Sequence, residues 1–370
     1  MTAHVSTDGR LIRAKQAAAD AGLDALLLTP GADLHYLTGY EAMPLERLTC
    51  LAVPTDGDPF LIVPLLEEPA AKASPAGSSG IEIVSWTETE NPYELVASRI
   101  GKRGSVGVDN HMWAEMLLAF REAMPGTEQR LAGEVLRNLR VRKSADELEA
   151  LRQAGAAIDR VHSRMGEWLR AGRTEREVGR DIAEAIIAEG HVRADFVIVA
   201  SGPNGASPHH ELSDRLIERG DVVVVDIGGT TPAGYCSDST RTYAVGEAPE
   251  EFLAYYDVLL RAQKAACEAV RPGAPAESID AAARDIITEA GYGELFIHRT
   301  GHGIGLETHE DPYIVAGNSR LLEPGMAFSI EPGIYQAGQH GARIEDIVIC
   351  TEDGGERLNL TPRELVILEG

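Results

Sequence analysis

Four carboxylates and one histidine run through the second half of the chain in the order Asp226, Asp238, His302, Glu331, Glu345. Each falls in, or next to, a stretch that reads as a strand. Asp226 closes the apolar run 222–226 and Glu331 closes 326–331, while Asp238 and Glu345 each open the strand that follows. A carboxylate at the end of a buried strand is costly unless a cation offsets its lost hydration. One such residue reads as ordinary turn chemistry, but acids on both strands of two hairpins do not. Together they imply one compact site for divalent metal. Four ionised carboxylates around one divalent ion would leave a net −2 in a low-dielectric pocket, an expensive state. Two ions neutralise them, and His302 can ligate as the neutral imidazole. Paired metals about 3.5–4 Å apart polarise a carbonyl and generate a nucleophile from water at neutral pH. Oxygen-rich ligation with one imidazole suits Mn²⁺, with Co²⁺ or Zn²⁺ also fitting. The set needs no sulfur, which weighs against a structural zinc site.

The elements that must position these residues form a pattern that recurs. Ser144 and Glu147 make one capping box and Thr174 and Glu177 another, each opening a helix. Strands are expected over 196–200, 222–226 and 235–245. The next stretch repeats the order: helices over 250–270 and 278–290, then strand signals near 295–298, 326–331 and 342–350. If the halves are related by a pseudo-two-fold axis, the two carboxylate pairs meet. His302 lies in Gly301-His302-Gly303-Ile304-Gly305, where glycines allow close backbone approach. Residues 1–140 read differently. They alternate a helix over 11–21, strands over 25–28, 48–53, 59–63, 81–86 and 105–108, a turn at 36–39, and helices over 92–100 and 112–123. That is an α/β layer domain without a cluster of metal-type ligands. A boundary falls near 141–143, leaving 141–370 as the catalytic domain.

Bulk properties fit this division. A chain of 370 residues accommodates two domains with separate cores. With 44% hydrophobic and 25% charged residues it has the composition of a soluble globular protein. A formal charge of −24 disfavours nucleic acid and anionic membrane as partners. The apolar runs are too short to span a bilayer, and the start shows no secretory signal, so a cytoplasmic location is expected. Cys50, Cys236, Cys267 and Cys350 form no Cys-x-x-Cys pair and are expected to be reduced, buried thiols.

At these residues the chain resembles the pita-bread metallopeptidases, in particular the Xaa-Pro dipeptidases (prolidases) and aminopeptidases P. The matching motifs are Val225-Asp226-Ile227-Gly228, Ser237-Asp238-Ser239-Thr240-Arg241, His298-Arg299-Thr300-Gly301-His302-Gly303-Ile304-Gly305, Ile330-Glu331-Pro332-Gly333-Ile334-Tyr335 and Arg343-Ile344-Glu345-Asp346. The resemblance implies an α+β pita-bread catalytic domain behind a creatinase/prolidase-like α/β N-terminal domain. It implies that Asp226 holds one metal, His302 and Glu331 the other, and that Asp238 and Glu345 bridge both. A metal-bridging hydroxide would attack the carbonyl before proline. His209, His298 and His309 match histidines near the substrate, with His309 on the scissile carbonyl or the tetrahedral intermediate. Arg343 would pair with a bridging carboxylate or the substrate, or form a structural ion pair. The substrate would be a proline-containing di- or oligopeptide, with a dipeptidase slightly favoured over an aminopeptidase for longer peptides, and the protein a homodimer. Another small-molecule hydrolase or lyase on the same fold is a further reading, as is a binding protein, although no ligand type is missing. One departure matters: the two aspartates are 12 positions apart, one more than the family pattern. The extra residue belongs in the turn near Thr231-Pro232, because inside a strand it would turn Asp238 to the wrong face.

Overall fold

The computed structural model describes residue 7 and residues 9–369. These form two compact units, one ending at Arg140 and the other beginning at Val141.

The N-terminal unit is a six-stranded mixed sheet with helices packed on it. Its strands are β1 (Ala25–Leu28), β2 (Cys50–Pro54), β3 (Phe60–Pro64), β4 (Glu82–Trp86), β5 (Ser105–Val108) and β6 (Glu128–Leu131), in the order β4-β3-β2-β1-β5-β6. Its helices are α1 (Arg10–Asp20), α2 (Ala32–Thr38), α3 (Glu68–Ala73), α4 (Pro92–Ile100), α5 (Ala114–Ala123) and α6 (Gly133–Arg140). Leu27, Ile62, Val96 and Phe120 lie in one buried cluster, so the alternation of strand and helix has a single core to close on. The turn expected at 36–39 is instead the last part of α2. Tyr36 and Leu37 are buried on that helix, and Gly39 ends it in the left-handed conformation, with φ 69°. A glycine terminating a helix looks in sequence like a turn glycine. Strand β6 and helix α6 were not expected, since Glu128-Gln129-Arg130-Leu131 is a polar edge strand without alternation.

The C-terminal unit carries the repeat. Helices α7 (Ala145–Ser163) and α8 (Glu175–Ala188) open the first half, and both capping boxes are formed. Strands β7 (Arg193–Ser201), β8 (Val222–Thr230) and β9 (Cys236–Val245) follow as an antiparallel meander. The second half opens with α9 (Glu250–Ala269) and α10 (Ala276–Glu289). Its strands are β10 (Gly301–Gly303), β11 (Glu310–Ile314), β12 (Ala327–Ile330), β13 (Gly333–Gln336), β14 (His340–Arg343), β15 (Asp346–Thr351), β16 (Gly354–Arg357) and β17 (Val366–Leu368). One sheet has the order β17-β9-β8-β7 and the other β11-β10-β12-β15-β16. Two helices followed by a three-stranded meander, β7-β8-β9 or β10-β12-β15, is therefore the unit that recurs.

Two expectations are corrected in the second half. Residues 295–298 are not a strand. A 3-10 turn at Gly293–Leu295 precedes irregular backbone, and Arg284 takes the carbonyls of Phe296 (3.1 Å) and His298 (2.8 Å) that a ladder would have used. The stretch 342–350 is not one strand either. It breaks between β14 and β15, and Glu345 lies in the break, its amide bonded across to the Thr240 carbonyl at 3.1 Å.

Candidate metal centre and active site

Regular pairing fixes the first two acids. In β8 and β9 the register runs unbroken from Val222↔Ala244 to Thr230↔Cys236, with Gly228 opposite Asp238 and Asp226 opposite Thr240. Asp226 and the partner of Asp238 are thus two residues apart on β8, which puts both side chains on one face. The extra residue of the long spacing lies in the turn between these strands, and the face of Asp238 is kept.

The second pair is held at a corner. β12 pairs β15 with Ile330 opposite Asp346, and beyond it β13 pairs β14 with Gly333 opposite Arg343. Glu331 and Glu345 sit where one hairpin turns into the other. The chain brings all five groups together: ligand atoms of Asp226, Asp238 and Glu345 lie within 4.8 Å of one another, as do those of His302, Glu331 and Glu345.

His302 reaches the site through an irregularity in β10, where the register with β11 shifts between Gly301 and Gly303. A Cβ on Gly301 would meet the Ser329 carbonyl oxygen at 1.9 Å, and one on Gly303 the Asp311 carbonyl oxygen at 2.1 Å. Only glycine fits on either side of the histidine. The His302 Nδ1 lies 3.1 Å from the Gly303 carbonyl oxygen, which can only accept. Nδ1 therefore carries a proton, and the ring turns its Nε2 toward Glu331 Oε1 at 3.2 Å and Asp238 Oδ2 at 3.7 Å. Electron-rich groups converging in this way are the arrangement of ligands around a shared cation.

Electrostatics point the same way. Burial, then the charges of Glu345, Asp226 and Glu331, hold Asp238 well above the usual carboxylate range. Burial and the repulsion of Glu331 and Asp226 do the same to Glu345. Glu331 goes the other way: burial would raise it, but the hydrogen bond from His302 and the charges of His302, His298 and Arg343 hold it at about 2. Two buried oxygens, Asp226 Oδ1 and Glu345 Oε1, have no hydrogen-bond partner among the described residues. Orphaned carboxylate oxygens aimed into one pocket fit a metal requirement. Two of the other oxygens accept from hydroxyls: Thr240 Oγ1 donates to Glu345 Oε2 at 2.8 Å, and Ser329 Oγ to Glu331 Oε1 at 3.1 Å.

Arg343 pairs with Asp226, its Nη2 2.5 Å from Oδ2, and not with Asp238 or Glu345. The strand break explains the difference, because Arg343 ends β14 and no longer shares a strand with Glu345. Arg343 also donates from Nη1 to the Tyr335 hydroxyl at 2.7 Å. Tyr335 Oη lies 2.9 Å from His298 Nε2, and His298 Nδ1 lies 2.7 Å from the Arg299 carbonyl. Both ring nitrogens of His298 are therefore engaged within the chain, which sets this histidine behind the reacting groups. Tyr335 was not foreseen as a site residue. The available signal was its neighbour Gly333, where a Cβ would meet the Tyr335 hydroxyl at 2.3 Å.

His209 and His309 line the same cavity of about 1290 Å³, with Phe196, Ile198 and Leu212 as apolar wall. The His309 ring centroid is 3.9 Å from that of His302. Burial, with the charges of His302 and Arg299, pushes His309 down to about 4, so it is a neutral donor at pH 7. Cys236 is buried and its thiol is pushed up to about 11 by burial, as a small core residue and not a ligand. The other three cysteines are also free and buried. No helix among the described residues is long and apolar enough to cross a membrane.

Comparison with known proteins agrees with this geometry. The model of the creatinase/prolidase N-terminal domain matches residues 10–142, and that of metallopeptidase family M24 matches residues 149–352. A Mycobacterium tuberculosis protein named "Probable dipeptidase PepE" is 54% identical over 360 residues, 97% of this chain and 96% of that protein. The Xaa-Pro dipeptidase of Lactobacillus helveticus is 38% identical, over 94% of this chain and 96% of its own. The crystal structure of a Thermococcus sibiricus prolidase superposes with a TM-score of 0.93 at 39% identity, covering 98% of this chain and 100% of that one. With its acids and histidine gathered on a repeated pita-bread core behind a creatinase-type N-terminal domain, the chain belongs to metallopeptidase family M24.

Proposed function

We propose that this enzyme is an Xaa-Pro dipeptidase that works with two divalent metal ions, Mn²⁺ first among them. Its polypeptide would divide into an N-terminal domain over 1–140 and a catalytic domain over 141–370. The observation that carries the reading is the convergence of five potential ligand groups, with two buried oxygens, Asp226 Oδ1 and Glu345 Oε1, that have no hydrogen-bond partner among the described residues. Asp226 would hold one ion and His302 with Glu331 the other, with Asp238 and Glu345 shared. Two cations held there supply a water of lowered pKa and polarise the peptide carbonyl. The remaining work belongs to the protein. Arg343 locks Asp226 in place, and Thr240 and Ser329 orient Glu345 and Glu331. His309, neutral at pH 7, donates a hydrogen bond to the scissile carbonyl oxygen as charge develops there, and His209 faces the substrate from the opposite loop. An imide nitrogen has no N–H, so a site that acts on the carbonyl alone suits the bond before proline.

The relative named Xaa-Pro dipeptidase supports the substrate assignment. The size of the cavity favours a second reading, an Xaa-Pro aminopeptidase acting on longer peptides. A cytoplasmic homodimer is the form in which we expect it to work. The test is hydrolysis by protein stripped with EDTA and reloaded with Mn²⁺. Cleavage of Xaa-Pro dipeptides but not Xaa-Pro-Yaa tripeptides supports the dipeptidase, and cleavage of tripeptides the aminopeptidase. Failure on both at full metal occupancy would overturn the assignment.

A further inference from the structure

Glu175 is a buried carboxylate that the proposed chemistry does not use. It is the first residue of α8, and its side chain is 0% exposed. Its carboxylate accepts hydrogen bonds from Ser201, at the end of β7, and from Asn204, His210 and Ser213 in the segment between β7 and β8. Ser201 donates from its amide (2.8 Å) and hydroxyl (2.7 Å) to Oε1. Asn204 Nδ2 lies 3.0 and 3.1 Å from the two oxygens. Ser213 Oγ lies 2.5 Å and His210 Nε2 2.7 Å from Oε2. Such a ring of donors needs an ionised acceptor. These bonds outweigh the opposing effect of burial and hold Glu175 down at about 2. The carboxylate can only accept, so His210 carries its proton on Nε2.

The four residues bonded to Glu175 bracket the loop tip. Ser201 and Asn204 lie on its incoming side and Ser213 on its outgoing side, with His210 next to His209 between them. The feet are tied a second time by Arg215, which donates to Ser201 Oγ at 2.7 Å and pairs with Asp221 at 2.5 Å. On the far side of the tip, Arg343 Nη2 lies 3.3 Å from the Pro208 carbonyl oxygen, the same guanidinium nitrogen that holds Asp226. The tip is thus clamped between Glu175 below and the site's own arginine in front. His209 itself is exposed in the cavity, on the tip that this frame holds.

We infer that Glu175 is a positioning residue that sets His209 against the substrate by gathering Ser201, Asn204, His210 and Ser213 around one buried anion. This rests on the proposed role of His209. The test is a double-mutant cycle on Mn²⁺-loaded enzyme with Leu-Pro as substrate, using Glu175→Gln, His209→Ala and the pair. A glutamine would turn an amide donor toward a ring of donors. Alone it should lower kcat/KM about 10- to 100-fold, as expected for a misplaced substrate group, with Mn²⁺ stoichiometry unchanged. In the His209→Ala background it should cost less than about threefold, because the residue it positions is gone. Equal losses in both backgrounds would make Glu175 a general structural residue and overturn the inference while leaving the functional reading intact. A His209→Ala enzyme with full activity would overturn the role of His209 and this inference together, and a wild-type enzyme inert on Xaa-Pro dipeptides and Xaa-Pro-Yaa tripeptides alike would overturn both along with the substrate assignment. If Glu175→Gln does not fold, His210→Gln removes a single bond, and the same cycle decides with the same signs.

Discussion

At the scale of single residues, Glu345 has the least freedom in the site. One oxygen is fixed by Thr240, the other has no hydrogen-bond partner among the described residues, and its amide is tied to the Thr240 carbonyl. Glu345→Ala should abolish turnover. It should also weaken at least one metal site by more than the about 10–100-fold typical of changes behind the ligands. Mn²⁺ titration followed by equilibrium dialysis measures this, and full activity in the variant would remove Glu345 from the mechanism. Tyr335 makes a subtler case, because its hydroxyl joins His298 to the arginine that holds Asp226. Tyr335→Phe keeps the ring and deletes the bridge, and kcat should fall about tenfold with KM little changed. An unaltered kcat would show that Arg343 holds Asp226 without help. The acids that converge were legible in the sequence because carboxylates at the ends of apolar strands are out of place there. Tyr335 and Glu175 were not. A tyrosine in an apolar strand and a glutamate at a helix start are ordinary in sequence, and their partners are far away along the chain. Which acid Arg343 pairs with was not legible for a related reason, since the strand break at Ile344–Glu345 leaves no mark in the composition of 342–350.

At the scale of elements, what the sequence made legible was helices with capping boxes and strands with continuous apolar runs. β8, with all nine residues buried, and α7 and α8, each with a complete box, are examples. Short strands whose ladder is shared with side chains were less legible, and β10 is the clearest. It is three residues long and exists because its glycines pass between the Ser329 and Asp311 carbonyls. Gly303→Ala should displace His302 or unfold the corner, lowering Mn²⁺ affinity and thermal stability together; a variant with unchanged affinity would contradict the fit. The packing of α7 on β9 gives a pH-dependent counterpart. His162 lies 2.9 Å from the Tyr243 hydroxyl and 3.1 Å from the Ser239 carbonyl. Burial, with the nearby charge of Arg241, pushes it down to about 3. The unfolded chain, near 6.5, takes up the proton first. His162 therefore contributes stability above pH ~6.5, and that contribution is lost as the pH falls toward 3. In His162→Gln the decline of thermal midpoint across this window should be shallower than in the wild type, and parallel curves would refute it.

At the scale of the whole molecule, the charge of −24 is mostly solvated surface, and the acids that matter are the few placed where water cannot reach them. Asp226, Asp238 and Glu345 are each 8% exposed or less, and the same unit holds Arg241 and Asp346 buried beside them. Arg241 Nη2 lies 2.7 Å from Asp346, which also accepts from Gln263 and Arg357 at 2.9 Å. That buried anion accepts from two arginines, whereas among the described residues the site's four acids share one arginine, Arg343 on Asp226. The imbalance has a thermodynamic consequence. Without metal, burial and mutual repulsion raise Asp238 and Glu345 well above the usual range, so the empty centre holds protons that the loaded centre cannot keep. Loading should therefore release protons and stabilise the fold, by about 2.7 kcal/mol when free metal exceeds its dissociation constant 100-fold. Calorimetric titration of EDTA-stripped enzyme with Mn²⁺ in two buffers of different ionisation enthalpy reads the proton count directly. The apparent binding enthalpy should differ between the buffers, with the sign of protons passed to the buffer. Identical enthalpies would mean that the carboxylates are already ionised in the empty enzyme, and that its fold tolerates their repulsion without a cation.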